Sequence, residues 1–262
     1  MAINVVVHGV MGKMGQQVLD TVTHTLGMQP VGAADITASQ GTIALPDGLG
    51  EVPISDSLGD VLDGADVVVD FTNADGAASV LRTAAPAGVN IVIGSTGITD
   101  ATYQEAESLA GEHDVGIIIA PNFAMGAVLM IHLAKQASRF FDYADLTEMH
   151  HEAKIDSPSG TALAIANAAL EGKPEGFIAP QSEKELLVGA RGATHQGVSV
   201  HSARMPGRVA HHELVFGALG QTLTIRHDSV NRESFMPGVT LAINEVGNRK
   251  GLTVGLDKIM GL

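Results

Sequence analysis

Cysteine is absent from the 262-residue chain, and tryptophan with it. The first absence excludes disulfides, thiolate metal sites and cysteine nucleophiles. The second, with aromatics at only 3%, leaves the core to aliphatic side chains. Cations are scarce as well. Lys and Arg number 15 against 29 Asp and Glu, for a formal charge of −14. That balance argues against nucleic acid and against anionic membrane surfaces as partners. It leaves room for a small anionic substrate, whose site needs only local cations. Long hydrophobic runs are missing too. The longest, "FAMGAVLMIHLA" at 123–134, contains His132 and is too short for a bilayer. The start, "MAINVVVHGV", has no basic segment or cleavage site and reads as a strand, so a cytoplasmic location is expected.

Glycine is plentiful, at 31 residues, and punctuates short β-branched runs. "INVVVHG" (3–9) ends in glycine, and "MGQQVLDTVTH" after it sets Met14, Val18, Leu19 and Val22 on one helical face. Further runs follow at 28–35, 65–72, 89–95 and 115–122, with helical stretches at 74–88 and 100–113. The later runs are almost wholly apolar, as parallel strands covered on both faces must be. This alternation predicts an α/β fold with a Rossmann-like, doubly wound parallel sheet.

The pattern changes near residue 123. A helix is expected at 125–140, and "DLTEMHH" (145–151) alternates like a strand. Ser157-Pro158 precedes "SGTALAIANAAL", which reads as a helix with a serine cap and proline in its first turn. Strands at 197–204, 210–218 and 221–229 follow in succession. They predict a second, α+β domain with a mostly antiparallel sheet, for substrate binding and oligomerisation. A helix at 234–246 and a strand at 252–256 return the tail to the first domain. The expected division is 1–122 with 238–262, and 123–237. The segment 171–190 is the best candidate for a mobile loop.

"HGVMGKMG" places Gly9, Gly12 and Gly15 between the first strand and the first helix. Such glycines let backbone N–H groups approach a pyrophosphate. Asp35 lies at the end of the second run, where an acid can accept the adenosine ribose hydroxyls. It favours NAD by repelling a 2′-phosphate. Lys13, beside the turn, partly offsets this, so NADH and NADPH both stay open.

"HHEAKIDSPSGTA" (150–162) gathers two histidines, a lysine and a helix start. On a regular strand His150 and His151 point to opposite faces. A bend or bulge after 149 would turn both inward, with Lys154 reaching back from the loop. The N–H groups of Ser159, Gly160 and Thr161 are expected to stand free and form a carboxylate site. Lys154 can bind a second carboxylate or donate a proton. His211, His212 and Glu213 raise a zinc reading, but no HExxH spacing accompanies them, so these histidines are assigned to structure or an oligomer contact and no metal is expected.

These stretches, with "VVVDFT" (67–72), "GSTG" (94–97), "APNFAMGA" (120–127), "GARG" (189–192) and "RHDSVNRESFMPGV" (226–239), make the chain resemble the 4-hydroxy-tetrahydrodipicolinate reductase family, also called dihydrodipicolinate reductase, from end to end. The resemblance implies reduction of 4-hydroxy-tetrahydrodipicolinate to tetrahydrodipicolinate in lysine and diaminopimelate biosynthesis, with NADH or NADPH. It implies that Gly9, Val10, Met11, Gly12, Lys13 and Met14 hold the pyrophosphate and Asp35 the ribose. Phe71 and Thr72 would line the cofactor cleft, and Gly94, Ser95, Thr96, Ala120, Pro121, Asn122 and Phe123 would border the nicotinamide. His150 is the implied acid/base residue and Lys154 the implied proton donor. His151, Lys154, Ser159, Gly160 and Thr161 would bind the carboxylates of a small dicarboxylate substrate. The implied assembly is a homotetramer. Other readings are a different nicotinamide-dependent imine or dicarboxylate reductase, a catalytically inactive dinucleotide-sensing regulator and a metal-dependent hydrolase.

Overall fold

The computed structural model describes residues 2–39 and 41–262. It divides into two compact units, Met1–Met125 with Arg232–Leu262, and Gly126–Asn231. The first unit opens with β1 (Ile3–His8), α1 (Lys13–His24), β2 (Met28–Ala34), β3 (Gly41–Ala44), β4 (Glu51–Ser55) and β5 (Val67–Asp70). It continues through α2 (Ala74–Ala84), β6 (Asn90–Ile93), α3 (Asp100–His113) and β7 (Gly116–Ile119). Then come α4 (Met125–Ser138), β8 (Tyr143–His150), α5 (Gly160–Gly172), β9 (Ala193–His195), β10 (Val198–Arg204), β11 (Ala210–Ala218) and β12 (Gln221–Ser229). The first unit is completed by α6 (Met236–Val246), β13 (Gly251–Val254) and α7 (Asp257–Met260).

The first sheet runs β13-β7-β6-β5-β1-β2-β4-β3. All its pairings are parallel except β3 with β4. Strand order reverses between β1 and β5, the switch point at which doubly wound sheets bind ligands. Burial explains the run composition: Val5–Val7, Val67–Val69 and Ile117–Ile119 are sealed on both faces. The hairpin of β3 and β4 was not among the expected strands. β3 is four residues long and largely exposed, and β4 is five residues long with Pro53 at its centre, so neither is long enough for its pattern to mark it.

The second sheet runs β12-β11-β8-β10-β9. Three pairings are antiparallel and β8 with β10 is parallel, so the sheet is mostly antiparallel, as expected. Its core joins Leu146, Val200, Leu214 and Phe216 to Met130 and Ala134 of α4 and Ile165 and Ala169 of α5. Residues 171–172 finish α5, and the stretch to 192 is irregular. Pro158 does not enter the first turn of α5. Ser159 is the cap, its Oγ accepting from the Ala162 N–H, and Pro158 stands before it. Among the described residues no helix is long and apolar enough to cross a membrane.

Gly116 sets how closely β7 approaches the end of α6. A Cβ there would lie 2.0 Å from the Val246 carbonyl oxygen and 2.4 Å from that of Arg249. Both obstacles are backbone, so neither can rotate away. Gly116→Ala is expected to destabilise by about 2 kcal/mol, which lowers Tm by roughly 4–8 °C. Calorimetry giving an unchanged Tm would show that this junction yields freely.

Candidate functional site

In the first unit, the carboxyl ends of β1, β2 and β5 meet at a cleft of about 600 Å³ lined by His8, Gly9, Gly12, Asp35, Phe71 and Thr72 among others. Gly9 has φ +82, and a Cβ would strike Thr72 Cγ2 at 2.7 Å. Gly15 lies so close that a Cβ would sit 2.0 Å from the Gly9 carbonyl oxygen. Gly12 caps α1 and brings no side-chain acceptor, so the helix start can face an anion. Lys13 and Met14 begin the helix, and Met11 projects from the turn, half exposed. Val10 instead buries its side chain in the core, and its N–H donates to the Ala34 carbonyl at 3.3 Å.

Asp35 follows β2 and accepts from the Met11 N–H at 3.0 Å and from the Thr37 N–H and hydroxyl at 3.0 and 2.7 Å. Partial burial raises its pKa, but these bonds and nearby His8 outweigh that and hold it below the usual carboxylate range. It is therefore ionised and fixed at the rim. Beneath it, fully buried Asp70 accepts from Thr72 Oγ1 at 2.7 Å and Ser95 Oγ at 2.6 Å, and pairs with His8 Nδ1 at 2.8 Å. Gly94 and Thr96 flank Ser95 after β6. A Cβ on Gly94 would enter the Phe71 ring at 2.2 Å. Ala120, Pro121, Asn122 and Phe123 follow β7, and the Phe71 and Phe123 rings lie 5.7 Å apart.

In the second unit, β8 alternates without a bulge. Glu148 and His150 share its buried face, while His151 lies beyond the strand and is exposed. The expected bend that turns both histidines inward is absent. Register then assembles a cluster. His212 on β11 lies opposite Glu148, and Arg204 on β10 lies opposite His150. Arg204 grips the Glu148 carboxylate through two nitrogens at 2.7 and 2.9 Å. His150 Nδ1 bonds the same carboxylate, and the Ser159 N–H reaches it at 3.3 Å. Ser159 Oγ contacts His212 Nε2 at 3.2 Å, and the His150 and His212 rings stand edge to face at 5.3 Å.

Burial would raise Glu148, but bonds from Arg204, Ser202 and His150 hold it below its ordinary value. His150 is lowered, chiefly by burial, with Lys154 and Arg204 adding to it against the opposing pull of Glu148. His212 is pushed down to about 4 by burial and by His150 beside it. Both imidazoles are thus neutral near pH 7 against an ionised Glu148. Lys154 donates to Asp156 at 2.7 Å, and that bond, with the Gly160 N–H, keeps Asp156 below its usual range.

The helix start is not free as expected. Glu148 holds the Ser159 N–H, Asp156 holds that of Gly160, and Thr161 is also engaged. His211 and His212 point apart, since His211 pairs with Asp228 at 2.6 Å. Glu148 and Arg204 were not among the sequence-derived candidates, and His212 is assigned from sequence to structure or an oligomer contact. Glu148 was accessible, two positions before His150 on an alternating strand. Arg204 and His212 arrive only through register.

Comparison with known proteins agrees over the whole length. Residues 3–123 match the family described as Dihydrodipicolinate reductase, N-terminus, and residues 126–260 its C-terminus counterpart. A 4-hydroxy-tetrahydrodipicolinate reductase of Dehalococcoides mccartyi is 52% identical, covering 99% of each chain. One from Moorella thermoacetica is 44% identical, covering 98% of each. The structure of a dipicolinate-bound dihydrodipicolinate reductase from Paenisporosarcina sp. TG-14 superimposes with a TM-score of 0.88 at 39% identity, over 99% of this chain and 100% of that one. An amine dehydrogenase from Mycobacterium smegmatis, at 18% identity and a TM-score of 0.67 over 98% of this chain and 96% of that one, shares the fold alone. A chain matched in both halves, and this closely, belongs to the dihydrodipicolinate reductase family.

Proposed function

We propose that the chain reduces 4-hydroxy-tetrahydrodipicolinate to tetrahydrodipicolinate with NADH or NADPH, in lysine and diaminopimelate biosynthesis. The observation that carries this reading is the grouping of His150, Lys154 and the start of α5 in a member of this family. The 4-hydroxyl leaves with a neighbouring ring hydrogen as water, and the double bond so formed takes up a hydride and a proton. The dinucleotide fits the first unit: the turn through Gly9 and Gly15 packs too tightly for any Cβ and leaves the start of α1 without a side-chain cap, and Asp35 is held ionised at the rim of the cleft. The bound cofactor supplies the hydride.

The chain's own residues bind, orient and move protons. Gly9 to Met14 would hold the pyrophosphate and Asp35 the ribose, with Phe71, Thr72, Gly94 to Thr96 and Ala120 to Phe123 lining the nicotinamide side. His151, Lys154, Ser159, Gly160 and Thr161 would hold the substrate carboxylates. The related structure from Paenisporosarcina contains dipicolinate, a small dicarboxylate, which supports a substrate of that class. His150 would act as the acid/base residue and Lys154 as the proton donor, orientation and placed cations supplying most of the rate gain. Dinucleotide binding would fall to residues 1–122 with 238–262 and substrate binding to 123–237, a partition supported by the two compact units, Met1–Met125 with Arg232–Leu262 and Gly126–Asn231.

The same reading takes the protein to be a cytoplasmic homotetramer. Its support is β12, an edge strand whose residues Gln221 to Thr224 are exposed. Light scattering should give a mass near four times 27.0 kDa, and a monomer at micromolar concentration would overturn the assembly.

Two further outcomes test the site. Wild-type enzyme should use NADH at least comparably to NADPH, and Asp35→Ala should weaken NADH by about 1.5 kcal/mol, roughly tenfold. A hundredfold NADPH preference in wild-type kinetics would contradict the assignment of Asp35. Thr161→Val should act mainly on KM, by about 1–2 kcal/mol, because a carboxylate keeps its charge throughout. Lys154→Ala should lower kcat by about 10²-fold or more, with NADH affinity little changed. Near-normal kcat would remove the proton-donor role, and lost NADH binding would remove the substrate-site role.

A further inference from the structure

We propose that Glu148 is the positioning residue of the substrate site: its buried carboxylate fixes the tautomer of His150 and ties that imidazole to the first turn of α5. The proposal rests on the reading of His150 as the acid/base residue. Its geometry stands independently. An ionised carboxylate accepts hydrogen bonds and donates none. His150 Nδ1 bonds Glu148 Oε2, so Nδ1 carries the proton. The neutral ring then has its lone pair on Nε2. That nitrogen is the one Glu148 does not engage, and it is the one left to take a substrate proton.

Every element packed around His150 contributes to this arrangement. Arg204, from β10, keeps Glu148 ionised through two bonds and cannot give up its own proton. His212, from β11, lies beside His150 with a strongly depressed proton affinity and bonds Ser159 Oγ. Lys154, from the loop, is engaged by Asp156 and adds positive charge near His150. Ser159, at the cap of α5, donates its N–H to Glu148 Oε1. One carboxylate therefore orients the base through one oxygen and the carboxylate-binding helix start through the other. Displacing it should disturb turnover and substrate binding together. A residue acting on stability alone would change only the amount of active enzyme.

The test is Glu148→Gln, with kcat, KM and the pH dependence of kcat/KM. Glutamine preserves shape and removes the charge that favours the imidazolium. The acid limb, on which His150 must lose its proton, should move down by about one pH unit. Kcat should fall between about ten- and a hundredfold, less than outright loss of a general base. KM should rise as Ser159 loses its anchor. Glu148→Asp, which keeps the charge at shorter reach, should leave the limb near its wild-type position while kcat stays reduced. An unmoved limb with a simple loss of amplitude in Glu148→Gln overturns the proposal. Nitrogen-15 NMR of wild-type histidines supplies the second measurement and covers the case of a variant that does not fold. His150 should titrate as the Nδ1–H tautomer, and an Nε2–H tautomer overturns the proposal without reference to activity. Wild-type enzyme inactive on the hydroxy dicarboxylate would instead remove the functional reading and leave the tautomer result standing.

Discussion

A carboxylate taken wholly out of water must be surrounded by donors, and Glu148 imposes that requirement on the second unit. Removal of such a group from solvent costs several kcal/mol unless it is paired and hydrogen-bonded. Arg204, His150 and the Ser159 N–H satisfy it, each from a different place in the chain. That demand constrains register. Slipping β10 by one residue would send Arg204 to the far face and leave the charge without its guanidinium. The aliphatic residues around it, Leu146, Val200 and Leu214, are less selective about what they touch. The polar cluster thus distinguishes one strand alignment from its neighbours.

The first unit solves a similar problem with weaker donors. Asp70 is as deeply buried, yet its partners are two hydroxyls and an imidazole, with no guanidinium. Each comes from the carboxyl end of a parallel strand or the residue or two after it. The cluster therefore pins β1, β5 and β6 together beside the switch point. Above it, Gly9 and Gly15 permit the turn, and Gly94 permits the Phe71 ring to lie flat against the next loop. A dinucleotide site in this fold is mostly backbone and absent side chains, with Asp35 a fixed charge at its edge.

This difference explains what could be read from the sequence. The parallel sheet was legible because strands such as Val67–Asp70 and Gly116–Ile119 are buried on both faces and form unbroken apolar runs. The glycine turn was legible because its conformation demands glycine at named places. The β3–β4 hairpin was not, since its strands are too short for a period to show and β4 carries a proline. His150 and Lys154 stood out by local composition. Glu148 needed only the strand period, which also contradicts the inward bend expected for His151. Arg204 and His212 lie more than fifty positions away from Glu148, and no local pattern reports which strands will be neighbours. The free helix start expected at Ser159 failed for a related reason. Its partners include Glu148, eleven residues earlier in the chain and on another element.

Charge placement follows from the same cluster. The chain carries −14 overall, and its two cations nearest the site are already engaged, Arg204 by Glu148 and Lys154 by Asp156. These pairs differ in kind. The first is sealed, and breaking it would leave a buried charge uncompensated. The second is exposed on the Asp156 side and screened by water, so it contributes little. Arg204 cannot leave Glu148 without stranding that charge. Asp156, exposed and held by Lys154 and the Gly160 N–H, can by contrast be replaced by another carboxylate at small cost. The protein thus keeps one cation for architecture and one for exchange.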